Sequence, residues 1–263
     1  MKIDNVKIGL QIWALREDFE QAPLETLRKI KEMGYSGVEL NLAKFNRSID
    51  EYKEMLDETG LECYGLLTSL DSMTDEQMPS LVEACRKLGT NNVIIGSISL
   101  DKIKESTDAL NETIEFLNSS HTKLLERGIR SGYHSHDGDF KYCVGDKSFY
   151  EYVLDNTPES FMMVLDTGNC VAGGGDPLAL IKKYTKRTAI LHAKGYSEEN
   201  KYLTPVWEAT CGLDEIIDAA IKIGCTEYFD VEFGARGDYC PTERAKKSAD
   251  WIIKAVKSAM GKD

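Results

Sequence analysis

Short apolar runs alternate along this chain with longer stretches in which apolar residues recur every three or four positions, and glycines mark most of the joins. Gly34, Gly60, Gly89, Gly128 and Gly224 each follow a helical pattern, where a left-handed residue commonly ends a helix and glycine adopts that conformation without steric penalty. A short apolar run follows each of them: residues 37–40, 63–67, 93–95, 132–134 and 229–233. The glycines are 26, 29, 39 and 96 residues apart, and the last interval holds three units of similar size. Two more runs, 161–166 and 189–194, fall inside it. Their continuous apolar character suits strands covered on both faces. With residues 8–13 at the start, the predicted strands number eight.

Strands that alternate with helices pair in parallel through right-handed crossovers, and eight such units in 263 residues match the size of a closed barrel. The expected fold is therefore α/β, a single (β/α)8 barrel, with one domain over residues 1–263. Helix starts agree with this. Asp176 precedes Pro177 as an N-cap and opens the apolar positions Leu178, Ile181 and Tyr184. The last helix, beginning near Pro241, carries Ala245, Ala249, Ile252, Val256 and Met260 as a stripe facing the barrel.

Composition narrows the classes. A chain with 42% hydrophobic and 29% charged residues reads as an ordinary globular protein. Its 44 acidic residues against 32 basic ones leave a net charge of −12 and no basic patch, which excludes nucleic acid and acidic lipid as partners. Seven cysteines without a Cys-x-x-Cys pair suit a reducing compartment, so the cytoplasm is expected. The first thirteen residues are too short and too charged for a signal sequence, and no stretch reaches the ~20 apolar residues of a membrane span.

In such barrels the chemistry is built at the C-terminal strand ends. Strand five ends in His134-Ser135-His136, strand six in Asp166, strand seven in His192 and strand eight in Glu232. The steps from His134 to Asp166 to His192 to Glu232 are 32, 26 and 40 residues, so each holds a comparable place in its own unit. Three of the four histidines fall at these ends. A mixed imidazole and carboxylate set suits Mn²⁺, Zn²⁺, Co²⁺ or Fe²⁺ better than Ca²⁺, with Mg²⁺ a poorer match. The remaining histidine, His121, lies in a long helix and reads as a packing residue.

These residues resemble the xylose-isomerase-like TIM barrels, a group of sugar isomerases, epimerases, inosose dehydratases and apurinic endonucleases. The resemblance runs over nearly the whole chain, through Gly9-Leu10-Gln11-Ile12-Trp13, Gly34-Tyr35-Ser36-Gly37-Val38-Glu39-Leu40, Tyr133-His134-Ser135-His136-Asp137, Leu165-Asp166-Thr167-Gly168-Asn169, Leu191-His192-Ala193-Lys194 and Val231-Glu232. It implies that Asp166, His192 and Glu232 ligate a divalent metal and that Lys194 stands beside the substrate's oxygens. Strand five departs from the pattern: many epimerases of the group have a glutamate where His134 falls. The fourth ligand is then His134 itself or Asp139.

The activity implied is removal of a proton next to a metal-polarised carbonyl of a small sugar-like substrate, with His136 as base and Glu232 sharing the role. Isomerisation or epimerisation is the first reading. A lyase or dehydratase acting by β-elimination on a keto-sugar or inosose is the second, and a non-catalytic sugar-binding barrel the third. The endonuclease branch needs more ligands and a cationic face. Glu39, Trp13 and Arg236 are candidate substrate-binding residues. The three glycines 173–175 before Asp176 read as a turn into a capped helix, and assembly into a homo-oligomer is a general expectation for such barrels.

Overall fold

The computed structural model describes residues 6–42, 44–45, 47–234 and 239–261. Its centre is a closed barrel of eight parallel strands: β1 Lys7–Gln11, β2 Gly37–Asn41, β3 Glu62–Thr68, β4 Asn92–Ile95, β5 Arg130–His134, β6 Met162–Asp166, β7 Ile190–Ala193 and β8 Tyr228–Val231. Consecutive strands are neighbours throughout, and β8 returns to pair with β1. Helices pack around the outside. All five glycines picked out above have positive φ, from 63° at Gly60 to 98° at Gly34, as helix-terminating residues require.

The predicted helices form, with small shifts at their ends. Asp176 accepts from the backbone N–H of Ala179 at 3.0 Å and starts the helix Pro177–Lys183. The last helix, Pro241–Ala259, buries Ala245, Ala249, Ile252 and Val256, while Met260 caps it half-buried. Two boundaries differ from expectation. β1 ends at Gln11, because the Gln11 side chain accepts from the N–H of Trp13 and turns residues Ile12–Leu15 into a 3-10 helix. β8 ends at Val231, so Glu232 sits one residue past the strand. A two-stranded ribbon, Cys143–Val144 with Lys147–Ser148, was not foreseen. Among the described residues no helix is long and apolar enough to cross a membrane.

Residues two apart on a strand share a face, and this rule divides the interior. Outward-facing residues such as Val38, Leu165, Leu191 and Phe229 join the large core beneath the helices. Inside the barrel, Tyr64, Ile94, Met162, Val164, Ile190 and Tyr228 fill the N-terminal half. Two and four residues further along the same strands the inward set becomes polar: Asp166 above Val164, His192 and Lys194 above Ile190, Asp230 and Glu232 above Tyr228. The barrel thus has an apolar floor and a charged upper half.

The Tyr64 ring fits only because β1 offers it no side chain. A Cβ built on Gly9 would lie 2.4 Å from the ring and its hydroxyl. Gly9→Val should therefore destabilise by about 1–3 kcal/mol, the usual cost of overpacking a tight core. Urea denaturation measures this, and an unchanged midpoint would show that Tyr64 can move aside.

Candidate metal centre

Four strand ends bring His134, Asp166, His192 and Glu232 together, each buried and each offering one donor atom within 4.8 Å of the others. Asp166 is held by its own motif. Its Oδ1 accepts from the N–H of Asn169 at 2.8 Å, capping the short helix Thr167–Ala172, and its backbone N–H donates to Ser135 Oγ at 3.0 Å. Thr167 ties β6 to β7: its hydroxyl is within 3.2 Å of the carbonyl of His192 and accepts from the N–H of Lys194 at 3.0 Å. The Asn169 amide donates to the Ser135 carbonyl at 2.9 Å, reaching β5. Gly168 leaves room for Lys194, which a Cβ there would approach to 3.0 Å. Each residue of Asp-Thr-Gly-Asn therefore joins two strand ends, and Asp166 Oδ2 is left without a hydrogen bond.

Glu232 is the junction. Its Oε2 lies 2.7 Å from His192 Nδ1 and 3.7 Å from His134 Nε2, and its Oε1 accepts from Lys194 Nζ at 2.9 Å. Lys194 also stands 3.2 Å from Asp166 Oδ2, with its ammonium 5.4 Å from the centre of the Tyr202 ring. His134 stacks near His192, ring centres 4.6 Å apart, and meets the half-buried His136 edge-on at 4.8 Å.

Burial and charge set the protonation states. For Glu232, burial works against the carboxylate, but Lys194, His134 and the His192 hydrogen bond prevail and hold it well below the usual range. Asp166 is lifted by burial to about 6 despite Lys194. Burial also opposes the Lys194 ammonium, yet Asp166 and Glu232 raise its pKa and keep it charged. His134 is pushed well below 6.5 by burial, and His136 is lowered for the same reason, so both are neutral at pH 7. A neutral imidazole is what a metal or a proton acceptor needs.

The donor set fits a divalent cation on its chemistry: two imidazoles and two carboxylates, with His134 Nδ1 and Asp166 Oδ2 buried and free of hydrogen bonds. Asp139 is diverted elsewhere. It accepts from Tyr133 Oη at 2.8 Å and from the N–H of His136 at 2.7 Å, capping the helix Asp137–Lys141, and burial raises it to about 6. Of the two candidates for a fourth donor, the fold brings His134 into the cluster.

The other sequence candidates are scattered. Trp13 is half-buried between Arg16 and Lys44, with their charges 4.9 and 5.8 Å from its ring. Glu39 is fully buried and turned towards His192 Nε2, 3.1 Å away. Arg236 lies outside the described residues. The glycines 173 and 175 serve packing, since a Cβ on either would strike the Asp137–Lys141 helix or Cys170. His121 is buried between the hydroxyls of Ser131 and Ser160, each 2.8 Å from a ring nitrogen. Sequence reasoning passed over Asp230 and Tyr64, although Asp230 shares the inward face of its strand with Glu232 and period-two spacing could have pointed to it.

Comparison with known proteins agrees with this architecture. Over 191 residues the chain is 28% identical to the rhizopine catabolism protein MocC of Rhizobium meliloti, a match covering 65% of this chain and 57% of that protein. A sugar phosphate isomerase/epimerase from Parabacteroides distasonis superposes with a TM-score of 0.74 at 22% identity, over 98% of this chain and 96% of the other. The probable 3-DHS dehydratase AsbF from Bacillus anthracis, involved in petrobactin synthesis, does so at 0.72 and 15% identity, over 94% and 99%. At such identities the structural likenesses establish the fold alone. The profile of the Xylose isomerase-like TIM barrel family matches residues 27–255, and the chain, with that match over most of its length and a closed eight-stranded barrel, belongs to this family.

Proposed function

We propose that the protein is a divalent-metal-dependent isomerase or epimerase of a small sugar-like substrate, working by proton abstraction next to a carbonyl. The observation that carries this reading is the convergence of His134, Asp166, His192 and Glu232 in one buried cluster beside a neutral, half-buried His136. These four residues would hold the cation. Its contribution when bound is Lewis-acid polarisation of the substrate carbonyl, which lowers the cost of removing a proton from the adjacent carbon.

The chain's own groups do the rest. His136 takes the proton as general base, and the electron pair of the broken C–H bond moves towards the carbonyl oxygen. Lys194, kept charged by Asp166 and Glu232, supplies a fixed positive charge for that oxygen. Return of the proton to the former carbonyl carbon, as the adjacent hydroxyl passes its proton to the enediolate oxygen, gives an isomer; an epimer requires a second group, the role given to Glu232, to deliver a proton to the opposite face of the same carbon. Burial of the donors keeps water away from the developing charge.

A second reading is β-elimination, favoured by the histidine at position 134 where a two-carboxylate epimerase needs a glutamate. The electron pair left by the proton then expels a β-oxygen, which takes a proton from Lys194. Lys194 is the charged donor there, since burial disfavours a second proton on His134.

Two outcomes are expected. After loading with Mn²⁺ or Zn²⁺ and dialysis, the wild type retains the metal, His136→Ala retains it too, and Asp166→Ala and His192→Ala lose it, as read by elemental mass spectrometry. In assays with keto-sugars and inososes, His136→Ala lowers kcat by about 10²–10⁴, the usual worth of a general base; unchanged turnover would move the base elsewhere. Reaction in D₂O separates the two chemistries. Deuterium in a product of sugar mass indicates isomerisation or epimerisation, and loss of water indicates elimination. A wild type that binds no divalent metal would sink the metal-dependent reading.

A further inference from the structure

Beneath the donor cluster lies a second layer of acids, joined to the first through His192. Glu39 on β2 and Asp230 on β8 are fully buried, and each places a carboxylate oxygen 3.1 Å from His192 Nε2. Asp230 is itself held, because Tyr64 Oη donates to its Oδ1 at 2.5 Å. The other nitrogen, Nδ1, faces Glu232 Oε2 at 2.7 Å. One imidazole thus stands between two acid layers, with a different nitrogen turned to each.

The strand geometry enforces this division. Asp230 and Glu232 are two residues apart, so both point inward, one reaching Nε2 from below and the other Nδ1 from above. Glu39 comes from the far side of β1 and closes on the same Nε2 edge. An imidazole that ligates a metal keeps one N–H and offers one lone pair, and the group bonded to one nitrogen decides what the other can do. A carboxylate faces each nitrogen, Glu39 at Nε2 and Glu232 at Nδ1; a cation in the upper cluster would meet the ring at its Nδ1 edge, and the hydrogen then left on the ring is the one that Glu39 accepts from Nε2.

We propose that Glu39, with Asp230 beside it steadied by Tyr64, is a positioning residue that retains the Nε2 hydrogen of His192 and so presents Nδ1 to the metal. Glu39 then shapes the site from underneath and does not touch substrate. The proposal rests on the metal-binding reading of the upper cluster. The same three side chains, Glu39, His192 and Asp230, have donor atoms within 4.8 Å of one another and could in principle hold a cation themselves. That arrangement would require the single imidazole to serve two cations, one at each nitrogen, whereas a hydrogen kept at Nε2 serves Glu39 and leaves Nδ1 to the upper cluster.

The test uses the full-length protein, Zn²⁺ alone as the probe and ¹⁵N-labelled histidine. In Zn²⁺-loaded wild type, His192 should show a hydrogen-bonded, downfield Nε2–H and a metal-shifted Nδ1. Chelator competition should show Zn²⁺ affinity falling about 10–100-fold in Glu39→Leu, the usual effect of losing such a partner. Glu39→Gln, which keeps an acceptor oxygen, should fall less. Wild-type affinity and an unchanged Nε2–H signal in Glu39→Leu would overturn the proposal, as would a second Zn²⁺ per chain that disappears with Glu39. Should Glu39→Leu fail to fold, Tyr64→Phe withdraws only the hydrogen bond to Asp230, and is expected to weaken Zn²⁺ binding and shift the same proton signal; no change in either counts against the idea. A wild type that takes up no Zn²⁺ yet shows the downfield Nε2–H, sensitive to Glu39→Leu, would refute the metal reading while leaving the positioning of His192 standing.

Discussion

Four carboxylates, Glu39, Asp166, Asp230 and Glu232, are packed into the upper half of a barrel from which solvent is nearly excluded, and the structure depends on how their charges are shared. Burying unpaired carboxylates side by side is costly. Here the load is spread over two basic groups. For His192, burial opposes the charged ring, but the surrounding carboxylates Glu39 and Asp230 and the hydrogen bond to Glu232 raise its pKa well above the ordinary value. Lys194 bridges Asp166 and Glu232 in the same way. Asp230 goes in the opposite direction, raised well above the ordinary carboxylate by burial against the pull of His192.

The donors sit on strands or within a residue of them, and the connections that would otherwise move are stitched together by short-range hydrogen bonds. Thr167 links the ends of β6 and β7, and Ser135 and Asn169 link β5 to β6. Side chains fixed at strand ends can be kept in a productive geometry more precisely than side chains carried on free loops. The apolar floor of Tyr64, Ile94, Met162 and Tyr228 supports the same purpose, since Tyr64 packs on Tyr228 at 4.0 Å and reaches up to hold Asp230.

Strand five is where this sequence departs from the two-glutamate pattern that its family resemblance implies. Histidine at position 134 replaces a charged donor with a neutral one, so the cluster carries less negative charge than a two-glutamate site would. His136 lies two residues on and shares that side of the chain, close enough for the two rings to touch. Asp139 serves as the acid that holds this corner, through Tyr133 and the backbone of His136, and is spent on structure.

Much of this was legible in the chain. The eight strands, their order and the four residues at the strand ends follow from local period and residue type, because a strand buried on both faces must be apolar until it reaches the mouth. Position in the repeat then places His134, Asp166, His192 and Glu232 on one pole. What local pattern could not supply was the pairing among them. That Glu39 turns inward onto His192, that Lys194 spans Asp166 and Glu232, and that Asp139 leaves the site for Tyr133 are consequences of barrel closure and strand register. These bring together side chains as far apart as residues 39 and 192. The residues carry the donors; the closed barrel decides which nitrogen and which oxygen face one another.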